Sequence, residues 1–107
     1  MAEKTIMLVC AAGMSTSLLV TKMEKAAQEK GIDCEIFAVA ASEADQKLGS
    51  KTIDALLLGP QVRFMEKQFK EKAAPLNIPV ELINMTDYGM MNGEKVLNQA
   101  LSMTTEG

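Results

Sequence analysis

Apolar residues are arranged along this chain in two alternating ways. Ile6-Met7-Leu8-Val9 and Ala55-Leu56-Leu57-Leu58 are unbroken apolar runs. A strand covered on both faces needs such a run, because its side chains point alternately into two buried layers. Residues 33–39 and 79–83 are also short and strand-like. Each carries a glutamate, Glu35 or Glu81, and the second begins on Pro79. Charge and proline suit the edge of a sheet.

Between these runs the apolar period becomes that of a helix. Leu19, Met23, Ala26, Ala27 and Lys30 fall at helical spacing within residues 15–30, and Gly31 is a suitable stop. Ser42 is a candidate N-cap for a short helix that ends at Gly49. Pro60 stands in the first turn of a third helix, with Val62, Met65, Phe69 and Ala73 on its inner face and Pro75 at its end. Asn92-Gly93 opens the last helix, which is expected to bury Val96, Leu97, Ala100 and Leu101.

Four strands joined by helices imply right-handed crossovers and a parallel sheet. With the two wholly apolar strands in the middle, the spatial order is 2-1-3-4. The expected fold class is α/β, a four-stranded parallel sheet with helices on both faces, as in the small tyrosine phosphatases. A chain of 107 residues fits a single domain, 1–107. Ligands of such sheets bind beyond the carboxyl ends of the strands at the switch point, here between strands one and three. Cys10 and the Gly59-Pro60-Gln61 turn both fall there.

Composition then removes several function classes. The net charge is −3 and the lysines are interspersed with acids, so no basic stripe is present for nucleic acid. No apolar stretch approaches ~20 residues, so direct membrane insertion is not expected. The start resembles a lipoprotein signal only superficially. Its leader carries Glu3, and Val9 stands where a small residue is required. Histidine is absent, which removes an imidazole base and the usual zinc ligand. Neither metal nor cofactor is expected. Cys10 ends one strand and Cys34 begins the next, placing them on the order of 10 Å or more apart, beyond disulfide reach. Reduced thiols and a cytoplasmic location follow.

The informative segment is Cys10-Ala11-Ala12-Gly13-Met14-Ser15-Thr16-Ser17. It leaves a strand, passes through small residues and enters a helix. Small side chains let the backbone curl, and Gly13 can take a positive φ. Curled-loop amides and the unpaired amides of a helix start form an anion nest, to which Ser15, Thr16 and Ser17 add hydroxyls. The thiolate is the nucleophilic form of cysteine, and Cys10 faces the same amides. A sulfur beside such a cradle can attack phosphorus and be held as phosphocysteine, while the amides meet the transferring oxygens. Met14 interrupts the run of small residues and is expected to project outward as a flexible apolar contact.

Other readings of these residues stay open on spacing alone. Cys10 is either a nucleophile or a buried small hydrophobe, and Cys34 reads as the latter. Taken alone, Ser15, Thr16 and Ser17 read better as helix caps than as phosphate donors. Asp87 and Tyr88 read as turn residues, Met90-Met91 as core or covering surface, and Lys22 and Lys25 as a solvated face. The loop lacks the Gly-Lys-Ser/Thr ending of a nucleotide-binding loop. A small tyrosine phosphatase, with Asp87 as acid, would need an arginine where Thr16 stands, and without that guanidinium its grip on a phosphate monoester is weak. A non-catalytic anion-binding module is the third class.

The segments 6–19, with the cysteine loop, and 56–62, Leu-Leu-Leu-Gly-Pro-Gln-Val, followed by Tyr88-Gly89 and Gly93 with its helix, resemble the enzyme IIB component of the phosphoenolpyruvate-dependent sugar phosphotransferase system. The class is the lactose/cellobiose (chitobiose) one, favoured by Ala11-Ala12 in place of glycines. The resemblance covers nearly the whole chain. It implies a protein-phosphocysteine–sugar phosphotransferase in which Cys10 accepts phosphate from a phosphohistidine of the IIA partner. The phosphate then passes to a sugar held by the membrane-embedded IIC partner, a β-linked disaccharide such as cellobiose, chitobiose or lactose. It further implies a cradle of amides from Ala11 to Ser17, with Gln61 and Tyr88 as candidate lining. The carrier is expected to be a monomer in isolation, cytoplasmic, and transiently at the inner face of the cell membrane.

Overall fold

In the computed structural model, which describes residues 4–10, 14–50 and 52–104 and only the backbone of 14–16, the two unbroken apolar runs lie at the centre of one sheet. β1 (Lys4–Cys10) pairs in parallel with β2 (Cys34–Ala40) on one side and β3 (Ala55–Leu58) on the other. β4 (Val80–Leu82) pairs in parallel with β3 and completes the order β2-β1-β3-β4. The order is the one expected, and the glutamate-bearing strands are its edges.

Alternation along the central strands feeds two apolar layers. Ile6 and Leu8 of β1, with Ala55 and Leu57 of β3, face α1 (Met14–Lys30) and α5 (Gly93–Met103), where they meet Leu19, Met23, Val96 and Leu97. Met7 and Val9, with Leu56 and Leu58, face α2 (Ala41–Ser50) and α3 (Glu66–Ala73), where they meet Ala44, Leu48 and Phe69. These strand side chains have no exposed surface. Each large one stabilises the fold by roughly 1.5–3 kcal/mol relative to exposure. An all-apolar strand therefore takes the centre, and helices cover both faces.

Gly93 sets how closely α5 lies on α1. A Cβ added there would stand 2.5 Å from the carbonyl carbon of Lys22 and 2.7 Å from the amide nitrogen of Met23. Ion pairs tie the same layers at the surface. Lys30 pairs with Glu94 at 3.3 Å, and Lys72 of α3 reaches Asp45 of α2 at 2.8 Å.

Several local expectations are corrected. The segment after β3 is not a continuous α-helix. Pro60–Met65 is a 3-10 helix, broken by Val62 at φ −118° and ψ 23°, and α3 begins only at Glu66. Its inner face keeps Val62, Phe69 and Ala73 buried, while Met65 is half-buried. Pro75 lies inside a second 3-10 turn, Ala74–Leu76. Ser42 lies within α2, which starts at Ala41, so it is not the N-cap. Lys30 is exposed rather than inward, as its charge demands. Gly31 does end α1, at φ +71°.

Asp87 and Tyr88 belong to a short helix, α4 (Met85–Gly89), and not to a turn. Two contacts make this helix possible despite its length. The Asn84 side chain caps it by accepting from the Asp87 amide at 3.1 Å. Gln99 of α5 accepts the Asn84 amide at 3.1 Å and donates to the Leu82 carbonyl at 2.7 Å. The exit of β4 is thereby fastened to α5.

Candidate functional site

Cys10 is the last residue of β1 and pairs with Ala40, the last residue of β2. By alternation it falls on the face of Ile6 and Leu8. The residue is 2% exposed. Its Sγ lies 3.9 Å from the carbonyl oxygen of Val39, a weak thiol hydrogen bond. α1 begins at Met14, so a helix N-terminus, with its unpaired amides, follows the thiol after three residues. Because α1 follows directly on β1 in a parallel sheet, that N-terminus lies at the carboxyl end of the sheet.

Ala11, Ala12 and Gly13, and the side chains of Met14, Ser15 and Thr16, lie outside the described residues. Ser17 is exposed in the first turn of α1, and its carbonyl accepts from Thr21 Oγ1 at 3.2 Å. Cys34 lies at the opposite end of the sheet. It pairs with Lys4, six positions from Cys10 along β1, about 20 Å at ~3.3 Å per residue. Neither Cys10 nor Cys34 forms a disulfide.

Gly59 forms the other wall of the site. Its amide donates to the Val9 carbonyl at 2.8 Å, so the chain leaves β3 directly beside the thiol. A Cβ on Gly59 would lie 3.6 Å from the Cβ of Cys10 and 2.9 Å from Gln61 Oε1. The glycine therefore leaves room for the Gln61 carboxamide oxygen at the turn that borders Cys10. Gln61 Nε2 in turn donates to the Tyr88 hydroxyl at 3.0 Å. Tyr88 is half-buried and packs on the apolar layer of α1 and α5. The structure thus brings together Cys10, Gln61 and Tyr88, three of the expected residues, from three strand exits.

Four exposed apolar residues lie on segments that follow the strand exits. Leu18 lies near the start of α1, Phe64 in the 3-10 helix after β3, and Met85 and Met90 at α4. Phe64 is 79% exposed. The sequence reading missed Leu18, Phe64 and Met85 and the close approach at Gly59, and it read Met90 as core or covering surface, of which the exposed position fits the second. A usable signal existed for Phe64, which stands off the inner-face period of Val62, Met65 and Phe69. Among the described residues no group of three or more His, Cys, Asp or Glu is placed to hold a metal ion. No described helix is long and apolar enough to cross a membrane.

A four-stranded doubly wound sheet with a cysteine at the central strand exit defines a class of small α/β proteins. Within it, this chain belongs to the family described as "PTS system, Lactose/Cellobiose specific IIB subunit", whose sequence model matches residues 5–99. It is thus a sugar-specific IIB component of the phosphotransferase system, a machinery of sugar transport and phosphorylation. The chain is 55% identical over 103 residues to the galactose-specific EIIB component of Lactococcus lactis subsp. cremoris (strain MG1363), covering 94% of this chain and 95% of that protein. Over the same shares it is 54% identical to the cellobiose-specific EIIB component of Lactococcus lactis subsp. lactis (strain IL1403). The solution structure of the cellobiose-specific phosphotransferase IIB component from Borrelia burgdorferi is 46% identical, with a TM-score of 0.75 over 94% of this chain and 91% of that one.

Proposed function

We propose that this protein carries phosphate on Cys10 between a phosphohistidine of a IIA protein and a sugar bound by a membrane IIC protein. The observation that carries the reading is the place of Cys10. It ends the central strand at the switch point, three residues before the N-terminus of α1. An anion bound to that sulfur would meet oriented amides and no acidic strand residue.

In the first step the Cys10 sulfur attacks phosphorus, the S–P bond forms, and the P–N bond to imidazole breaks with its electron pair returning to nitrogen, which takes up the thiol proton. In the second step a sugar hydroxyl attacks phosphorus, the O–P bond forms, and the S–P bond breaks with its electron pair returning to sulfur, which takes up the hydroxyl proton. The amides of Ala11, Ala12, Gly13, Met14, Ser15, Thr16 and Ser17 hold the phosphoryl oxygens in both steps. Residues 1–107 act as one domain, a monomer between encounters, cytoplasmic and at the inner membrane face only during delivery. No metal or cofactor takes part.

The sugar is a β-linked disaccharide such as cellobiose, chitobiose or lactose. Relatives of nearly equal identity carry galactose and cellobiose in their names, so IIB sequence identity alone does not choose among them. Exposed Leu18, Phe64, Met85 and Met90, all on segments that follow strand exits, suit a partner that must seat its reacting atom over Cys10. Exposed apolar groups gathered at one end of a small protein mark an interaction site.

The test is phosphorylation by the general phosphotransfer proteins and a cognate IIA protein, followed by peptide mass spectrometry. One phosphate on the Cys10 peptide, discharged by sugar and IIC-bearing membranes, is the expected result. Phosphate elsewhere on the chain, with sugar phosphorylation intact, would refute the reading.

A further inference from the structure

α4 has five residues, too few to persist by helix propensity, yet it is fixed at both ends. At its start the Gln99 carboxamide engages its oxygen and its nitrogen. It accepts the Asn84 amide at 3.1 Å, and donates to the Leu82 carbonyl at 2.7 Å and to Glu81 Oε1 at 3.1 Å. At its end the amides of Met91 and Asn92 close on the carbonyls of Tyr88 and Asp87 at 3.1 and 2.9 Å, with Met91 held at φ +54°. That left-handed conformation is uncommon outside glycine.

A segment held this firmly keeps two large apolar side chains in solvent. Met85 is 63% and Met90 71% exposed. The Tyr88 hydroxyl accepts from Gln61, two residues past Gly59, whose amide is bonded to the carbonyl of Val9 beside Cys10. α4 therefore belongs to the Cys10 end of the sheet.

Charge separates α4 from the neighbouring strand exit. Residues 81–93 include Glu81 and Asp87 and no lysine or arginine, and among the described residues no cation pairs with either acid. The segment after β3, Pro60–Met65, instead carries one cation, Arg63, beside Phe64. The two partners differ in the same sense. A phosphohistidine brings an anion, whereas the cytoplasmic loops of membrane proteins carry an excess of lysine and arginine.

We infer that α4 is a preformed docking surface for the membrane IIC partner, with Met85 and Met90 as its apolar contact and Glu81 and Asp87 as the charge that complements basic loops. The inference rests on the reading of Cys10 as the carrier of phosphate to that partner. A helix ordered beforehand adds no ordering cost to the encounter, and methionine repacks readily on a surface met only briefly.

Two variants decide the point, Met85→Ser combined with Met90→Ser, and Asp87→Asn alone. Each is assayed with phosphorylated IIA protein as donor and, once phosphorylated, with sugar and IIC-bearing membranes as acceptor. The methionine variant should raise the KM for discharge about 5- to 30-fold, with the KM for the IIA protein within about twofold and the melting temperature unchanged. Asp87→Asn should raise the discharge KM about 2- to 5-fold at low salt, a difference lost as ionic strength nears about 1 M. A discharge KM unaltered in either variant, or an equal rise with both partners, overturns the inference. A wild-type protein that takes no phosphate on Cys10 overturns the phosphocysteine reading instead. Co-sedimentation of unphosphorylated protein with IIC-bearing against IIC-free membranes then tests α4 directly, and equal retention of wild type and methionine variant overturns the docking.

Discussion

The amide of Gly59 donates to the carbonyl of Val9 at 2.8 Å, which lays the exit of β3 against the residue that precedes the thiol. A methyl group at position 59 would meet Gln61 Oε1 at 2.9 Å and the Cβ of Cys10 at 3.6 Å. The first is the tip of a flexible side chain and can swing away. Gly59→Ala should therefore leave stability within about 1 kcal/mol, yet displace the carboxamide and slow phosphoryl transfer. Thermal melting together with rapid-quench phosphorylation reads both quantities.

The two thiols should part company completely. Cys34 sits at the amino end of β2, away from the strand exits, and Cys10 at the carboxyl end of β1. Cys34→Ser should support sugar phosphorylation at the wild-type rate. Cys10→Ser should lose it, because a hydroxyl is far less nucleophilic than a thiolate at neutral pH. Radiolabel transfer with each variant checks the pair. Activity retained by Cys10→Ser would defeat the proposed chemistry.

Phe64 is the most exposed of the large apolar residues, at 79%, so its removal costs the isolated fold little. At a partner interface a buried aromatic group is worth about 1–2 kcal/mol or more. Phe64→Ser should raise the KM for phosphorylated IIA about 5- to 30-fold, with turnover and melting temperature unchanged. Leu76→Ser is the control. Leu76 is 49% exposed but precedes β4, at the opposite end of the sheet, and its loss should leave KM unaltered.

Gly93 makes the opposite kind of prediction, structural and not kinetic. A methyl group there would press on the backbone of Lys22 and Met23, which cannot rotate aside. Gly93→Ala should destabilise the protein by about 1–3 kcal/mol, as overpacking does, lowering the melting temperature by roughly 4–8 °C per kcal/mol. Gly49→Ala, in α2 with nothing within 4 Å of the new Cβ, should instead stabilise by about 0.4–1 kcal/mol. Differential scanning calorimetry of the two variants tests the contrast.

The amino-acid sequence by itself determined the sheet. Ile6 to Val9 and Ala55 to Leu58 contain no polar side chain, so only a position covered on both faces satisfies them, and Glu35, Pro79 and Glu81 assign the other two strands to edges. Strand order and helix crossovers then carried Cys10 to the switch point, because both depend on patterns local to each segment. The fit between segments was decided only in three dimensions. α4 is too short to hold its shape by propensity and exists through Asn84 and Gln99, the latter reaching back from α5. Pro60 permits a helix start, but the turn that carries Gln61 and borders Cys10 depends on how β3 ends against Val9. Gln61 and Tyr88 are 27 residues apart. No periodicity couples them, and their hydrogen bond arises because β3 and β4 are neighbours whose exits open at the same edge.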